Sequence, residues 1–120
     1  MTLNECYEKL HGNYEDAKSR LMNDRLVEKF LLKFPADPTM DQLREAVKEE
    51  KIEESFRAAH TLKGVAANMA FTDLQKAASD LTEQLRDRTQ TADPALLQVV
   101  EENYKLVRDV IEEYKALQAK

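Results

Sequence analysis

The 120-residue chain has little of what many functions require: 2 Gly, 3 Pro, one Cys and no Trp. Two isolated glycines, Gly12 and Gly64, exclude a Gly-rich phosphate loop, and with it the nucleotide-binding enzymes that depend on one. So few Gly and Pro also exclude collagen-like and linker-like chains. Cys6 has no partner for an internal disulfide. With only His11 and His60 to help it, and without i, i+3 or i, i+4 pairing among the three, a zinc site has too few ligands. Positive charge is in deficit too. Eighteen basic residues against 23 acidic ones leave a net charge of −5, which argues against sequence-independent nucleic-acid binding. No apolar run approaches the roughly 20 residues needed to cross a bilayer. The start, MTLNECYEKL, lacks the basic-then-apolar layout of a secretory leader, so a cytoplasmic location is expected.

What is present points one way. Hydrophobic residues make up 42% and charged ones 34%, enough for one core and its coat. Ala, Leu, Glu, Lys, Gln and Arg dominate, and these favour helix. Leu3, Tyr7 and Leu10 predict a short first helix ended by His11-Gly12, with Asn13 capping a second over Tyr14–Leu21. A third runs from Asp24 to Lys33, with Leu26, Val27, Phe30, Leu31 and Phe34 apolar, and stops at Pro35 and Pro38. Thr39, with Gln42 as capping-box partner, opens a helix through Met40, Leu43, Ala46 and Val47. A bend is expected near Lys51.

The next helix, about Ile52 to Met69, buries Ile52, Phe56, Ala59, Leu62, Ala66 and Met69. Thr72 caps another, running to about Arg88 through Leu74, Ala78, Leu81 and Leu85. Asp93 and Pro94 then start the longest helix, to Gln118, with Leu97, Val100, Tyr104, Val107, Ile111, Tyr114 and Leu117 inward. The expected fold is all-α: an antiparallel four-helix bundle with short additional N-terminal helices. It forms a single domain over 1–120, with 1–12 as an N-terminal extension and the core at about 13–118.

One stretch concentrates chemistry: Ala58-Ala59-His60-Thr61-Leu62-Lys63-Gly64-Val65-Ala66-Ala67-Asn68. At 100° per residue, His60, Lys63, Gly64 and Ala67 share one side of a helix. That side offers a nucleophile, a cation and two residues almost without bulk. A mid-helix Gly costs on the order of 1 kcal/mol relative to Ala. Close approach of another surface to His60 would account for it, as would tight helix packing. A neutral imidazole keeps one nitrogen free as a nucleophile. Were it to accept a phosphoryl group, about two negative charges would arrive and Lys63 would hold them. Taken singly, His60 is more often a half-buried bundle histidine than a nucleophile, and Lys63 a solvated surface charge. Likewise, His11 reads as a helix-end residue, Cys6 as a small core residue, and Lys48–Glu54 as a solvated face.

The string FRAAHTLKGVAANMAFTDL resembles the signature of the histidine-containing phosphotransfer (HPt) domain, and NYEDAKSRLMNDRLVEKFLLKF is similar to that family's entry helices. The resemblance spans about Asn13 to Tyr114. It implies that His60 is the phosphoacceptor, that Lys63 assists the phosphate, that Gly64 leaves room for a partner, and that Asn68 ends the motif. It implies polar groups on the following helix beside the imidazole. Ser79, Thr82, Glu83 and Arg86 are the exposed residues expected there, with Thr82 the nearest match for a ring partner and Glu83 beside it; a pairing through water, or no partner, is the alternative. Phe56 and Arg57, one turn before His60, are expected on the docking rim beside Ala67. The implied partners are response-regulator receiver domains and a sensor or hybrid histidine kinase, with no nucleic acid and no membrane, and the protein is expected to act as a monomer. The implied activity is a phosphoryl carrier, not an enzyme. It needs no cofactor of its own, because Mg²⁺ belongs to the receiver. The alternative is a degenerate bundle that docks without transferring.

Overall fold

The computed structural model describes residues 1–119. It contains α1 (Leu3–Lys9), α2 (Tyr14–Leu21), α3 (Asp24–Lys33), a 3₁₀ turn (Phe34–Ala36), α4 (Thr39–Lys48), α5 (Ile52–Asn68), α6 (Thr72–Leu85) and α7 (Pro94–Gln118). No strand occurs among the described residues.

The four later helices make the bundle. In sequence order α4 packs on α5, α5 on α6 and α6 on α7; the connections from α4 to α5 and from α5 to α6 are short enough to make antiparallel neighbours. The ring closes where Arg44 of α4 reaches Glu101 of α7 through contacts of 2.6, 2.9 and 3.1 Å while its guanidinium lies over Tyr104. Inside, Leu43, Ala59, Leu62, Ala66, Leu74, Ala78, Leu81, Leu85, Val100, Val107 and Ile111 are essentially sealed from water. Their spacing of three and four residues places them on the inner stripes of their helices. The outer faces carry ion pairs between neighbouring turns, such as Arg20–Asp16, Lys76–Asp80 and Lys105–Asp109.

The N-terminal helices are stitched to one end of the bundle. A capping box between Thr2 and Glu5 starts α1. Cys6, Tyr7 and Leu10 then join the common core. Tyr7 donates its hydroxyl hydrogen to the Met69 carbonyl at 2.9 Å, and the Asn13 N–H reaches the Ala70 carbonyl at 2.8 Å. Both bonds grip the turn that joins α5 to α6. Gly12 fits there because it has no side chain: a Cβ would stand 2.7 Å from the Ala70 carbonyl oxygen.

Several local expectations need correcting. Gly12 is not the left-handed residue past α1; His11 takes that conformation, with φ of 60°. Thr39 and Thr72 are first helical residues rather than caps, following Pro38 and Phe71. The Asp37 carboxylate accepts the Thr39 N–H instead, at 2.8 Å. α6 stops at Leu85, three residues early, and Arg88 turns left-handed. Phe30 and Leu117 are exposed, because α3 and the end of α7 lack a neighbour on those sides. Asn13, Asp93 and Pro94 act as expected: both caps accept first-turn N–H groups, and Pro94 sits at the start of α7.

Candidate functional site

α5 carries the site: it packs against α4 and α6 and leaves a wet strip on its outer side. Ala59 and Leu62 face inward with no exposure. The 100° step then turns His60 outward, where it is exposed. Lys63 lies half-buried one turn on, Gly64 is exposed, Ala67 is half-buried and Asn68 is exposed. A Cβ built on Gly64 meets nothing within 4 Å. Helix packing therefore does not account for this glycine, and the strip beside His60 is bare backbone.

Glu53 accepts from Arg88 at 2.8 Å and from Arg57 at 3.1 Å. Glu83 accepts from Arg86 at 2.7 and 3.0 Å. These contacts hold both carboxyls below their ordinary range, Glu53 chiefly through Arg88 and Glu83 chiefly through Arg86, with Lys63 adding to the latter. Lys63 itself has no ion pair among the described residues. Arg57, Lys63, Arg86 and Arg88 thus accompany Glu53, Glu83 and Asp87 along α5, α6 and the residues after α6, and Asp80 is paired with Lys76.

The imidazole makes no hydrogen bond to any described residue. Phe56 lies beside it: the two rings are parallel to within 3°, with centroids 6.0 Å apart. This overturns two expectations. Thr82 is not an exposed ring partner. It is fully buried, and its hydroxyl donates to the Ala78 carbonyl at 2.7 Å. A threonine one helical turn from that carbonyl satisfies itself within its own helix when no water can reach it. Phe56 is not on a docking rim either. It is only 9% exposed, and its ring is covered by the Arg88 guanidinium at 3.7 Å from the centroid. Arg57, Glu83 and Arg86 are exposed as expected, and Ser79 is half-buried.

A family model described as "Hpt domain" matches residues 25–119. The chain belongs to the Hpt domain family. Searches of curated proteins and of solved structures returned no match. Membership implies a phosphotransfer carrier of a phosphorelay, a class that works with receiver domains and kinases. The matched span of this Hpt domain includes α4–α7 and every site residue above, and begins after α1 and α2.

Two features of the site escaped sequence reasoning. One is Arg88, assigned to the end of a helix and found over Phe56. The other is an apolar cleft of about 570 Å³ between α3 and the end of α5, bordered by Phe30, Phe34, Val65 and Met69. Only the exposed Phe30, apolar on a helix otherwise well patterned, was a signal for the second. No helix among the described residues is long and apolar enough to cross a membrane. Among the same residues, no group of three or more His, Cys, Asp or Glu side chains is placed to hold a metal ion.

Proposed function

We propose that this Hpt domain carries a phosphoryl group on His60, taking it from a receiver-domain phosphoaspartate or a kinase and passing it to another receiver. One observation carries the reading: an exposed imidazole with no hydrogen bond to a described residue, beside a Lys63 without an ion pair among the described residues and an unobstructed Gly64. In the forward step an in-plane ring lone pair attacks phosphorus. A nitrogen–phosphorus bond forms as the acyl P–O bond breaks, and the aspartate carboxylate leaves. The proton on the other ring nitrogen can then pass to water, which reaches this exposed ring. Lys63 neutralises the charge that arrives, by charge-assisted hydrogen bonding. Gly64 and Ala67 let the receiver's loops approach. The receiver's own Mg²⁺ stabilises most of the charge that develops during transfer. The chain supplies a positioned nucleophile and a docking face, so it is a carrier and not a kinase.

The test is direct. Receiver domains phosphorylated on aspartate are mixed with the protein, and acid-labile, base-stable phosphate is sought on it. Label should appear on the wild type and vanish in His60→Gln. The second reading, a domain that docks but no longer transfers, draws on the burial of Thr82, which leaves the ring without a polar partner. Docking of receivers with no label on His60 would establish it and end the carrier reading.

A further inference from the structure

Nucleophilic transfer needs the attacking ring held in one orientation, yet no polar side chain among the described residues bonds to it. Thr82 bonds Ala78, and Glu83 holds Arg86. We propose that Phe56 is the positioning residue of His60, orienting the imidazole by stacking instead of by a hydrogen bond; this rests on His60 being the phosphoacceptor. The ring planes differ by 3° at a centroid separation of 6.0 Å, within the range of offset stacks. At this separation the two rings are parallel and offset, not face on face. In a neutral imidazole the one free lone pair and the N–H of the other nitrogen both lie in the ring plane, so both stay available, the lone pair to attack and the N–H to lose its proton to water.

Phe56 can orient another ring only if it is itself fixed, and a chain of contacts fixes it. The side chain is 9% exposed. The Arg88 guanidinium lies 3.7 Å from its ring centroid, and that of Arg86 lies 5.7 Å away. Arg88 is in turn tied to Glu53 at 2.8 Å and to the Arg86 carbonyl at 2.5 Å. Glu53, Phe56 and His60 lie on successive turns of α5. The restraint therefore runs from Glu53 through Arg88 and Phe56 to the imidazole. It links the α6–α7 loop to the reacting ring.

Potassium phosphoramidate, a small donor, tests this without a receiver: ammonia leaves as the P–N bond breaks and the imidazole nitrogen takes the phosphoryl group. Wild type, Phe56→Leu and Phe56→Tyr are compared for labelling rate and for the NMR shifts of the His60 ring protons. Leucine keeps the apolar volume but removes the aromatic face, so it should slow labelling about two- to tenfold, the range expected for losing one aromatic pair. It should also move the His60 ring protons toward the values of an unstacked imidazole. Tyrosine should restore both. Circular dichroism confirms that helix content is retained, and the ring shifts report on the stack even if labelling is affected by stability. A wild type labelled at His60, with Phe56→Leu matching it in rate and ring shifts, would overturn the role of Phe56 alone. A wild type that shows the stacked shifts but takes no phosphoryl on His60 would overturn the phosphoacceptor reading, and the positioning role with it.

Discussion

Replacing Gly64 with alanine should make this protein more stable, and the size of the gain follows from the structure. A glycine in a helix interior costs about 1 kcal/mol relative to alanine, because more backbone freedom is lost on folding. That gain is cancelled where the new methyl collides, but at position 64 an added Cβ meets nothing within 4 Å. The full ~1 kcal/mol should therefore be realised. Unfolding entropy of about 2.1 cal/mol/K per residue gives roughly 0.25 kcal/mol/K for 120 residues, so Tm should rise by about 4 °C. With no tryptophan to report, helix ellipticity in a thermal or urea titration is the suitable probe. Gly64→Gln should keep part of the gain, since glutamine is also a good helix former, while receiver docking collapses. Stability that rises as docking falls is the signature of a position kept bare for a partner. A Gly64→Ala protein less stable than wild type, or a Gly64→Gln protein that docks normally, would refute the reasoning.

The other predictions probe neighbouring points. Gly12→Ala should destabilise by about 1–3 kcal/mol in the same titration, because its Cβ would stand 2.7 Å from a backbone oxygen that cannot swing away. Lys63→Ala should slow transfer or shorten the lifetime of phosphohistidine with no loss of helix, measured by the decay of label; an unchanged rate and lifetime would remove Lys63 from the site. Stability should also fall as pH rises above about 9. Burial pushes the Cys6 thiol up to about 11, whereas an unfolded thiol titrates near 8.5. The folded state therefore keeps a proton that the unfolded state loses. This contribution is complete below pH ~8.5 and is gone as pH passes through 11. A Cys6→Ala protein should show a shallower decline over that window in urea titrations, and an equal slope would contradict the assignment.

Much of the architecture was legible along the chain. The starts of α2 and α7 follow from Asn13 and from Asp93-Pro94, whose effects act within one helical turn. The outward placement of His60, Lys63 and Gly64 follows from helical periodicity once Ala59 and Leu62 are inside. Other positions resisted for an equally physical reason. Thr39 and Thr72 look like caps, yet Asp37 already served the first turn of α4, and α6 begins without any side-chain cap. Phe30 and Leu117 fit their apolar stripes but have no helix opposite them. Five non-glycine residues take a positive φ, His11 and Arg88 among them, and their residue types do not mark those positions along the chain.

The amino-acid order alone determined that this would be a helical bundle with a histidine, a lysine and a glycine on one outer strip, because helical period and propensity are properties of neighbours in sequence. Tertiary structure decided the company His60 keeps. Only the packing of α6 against α5 buries Thr82, and only the path of the chain after α6 lays Arg88 on Phe56 and leaves Phe56 against the imidazole. The Arg88–Phe56 contact joins residues about 30 positions apart, and like the burial of Thr82 it depends on the rotation of each helix about its own axis. The packing of the whole core sets that rotation, and no local pattern encodes it.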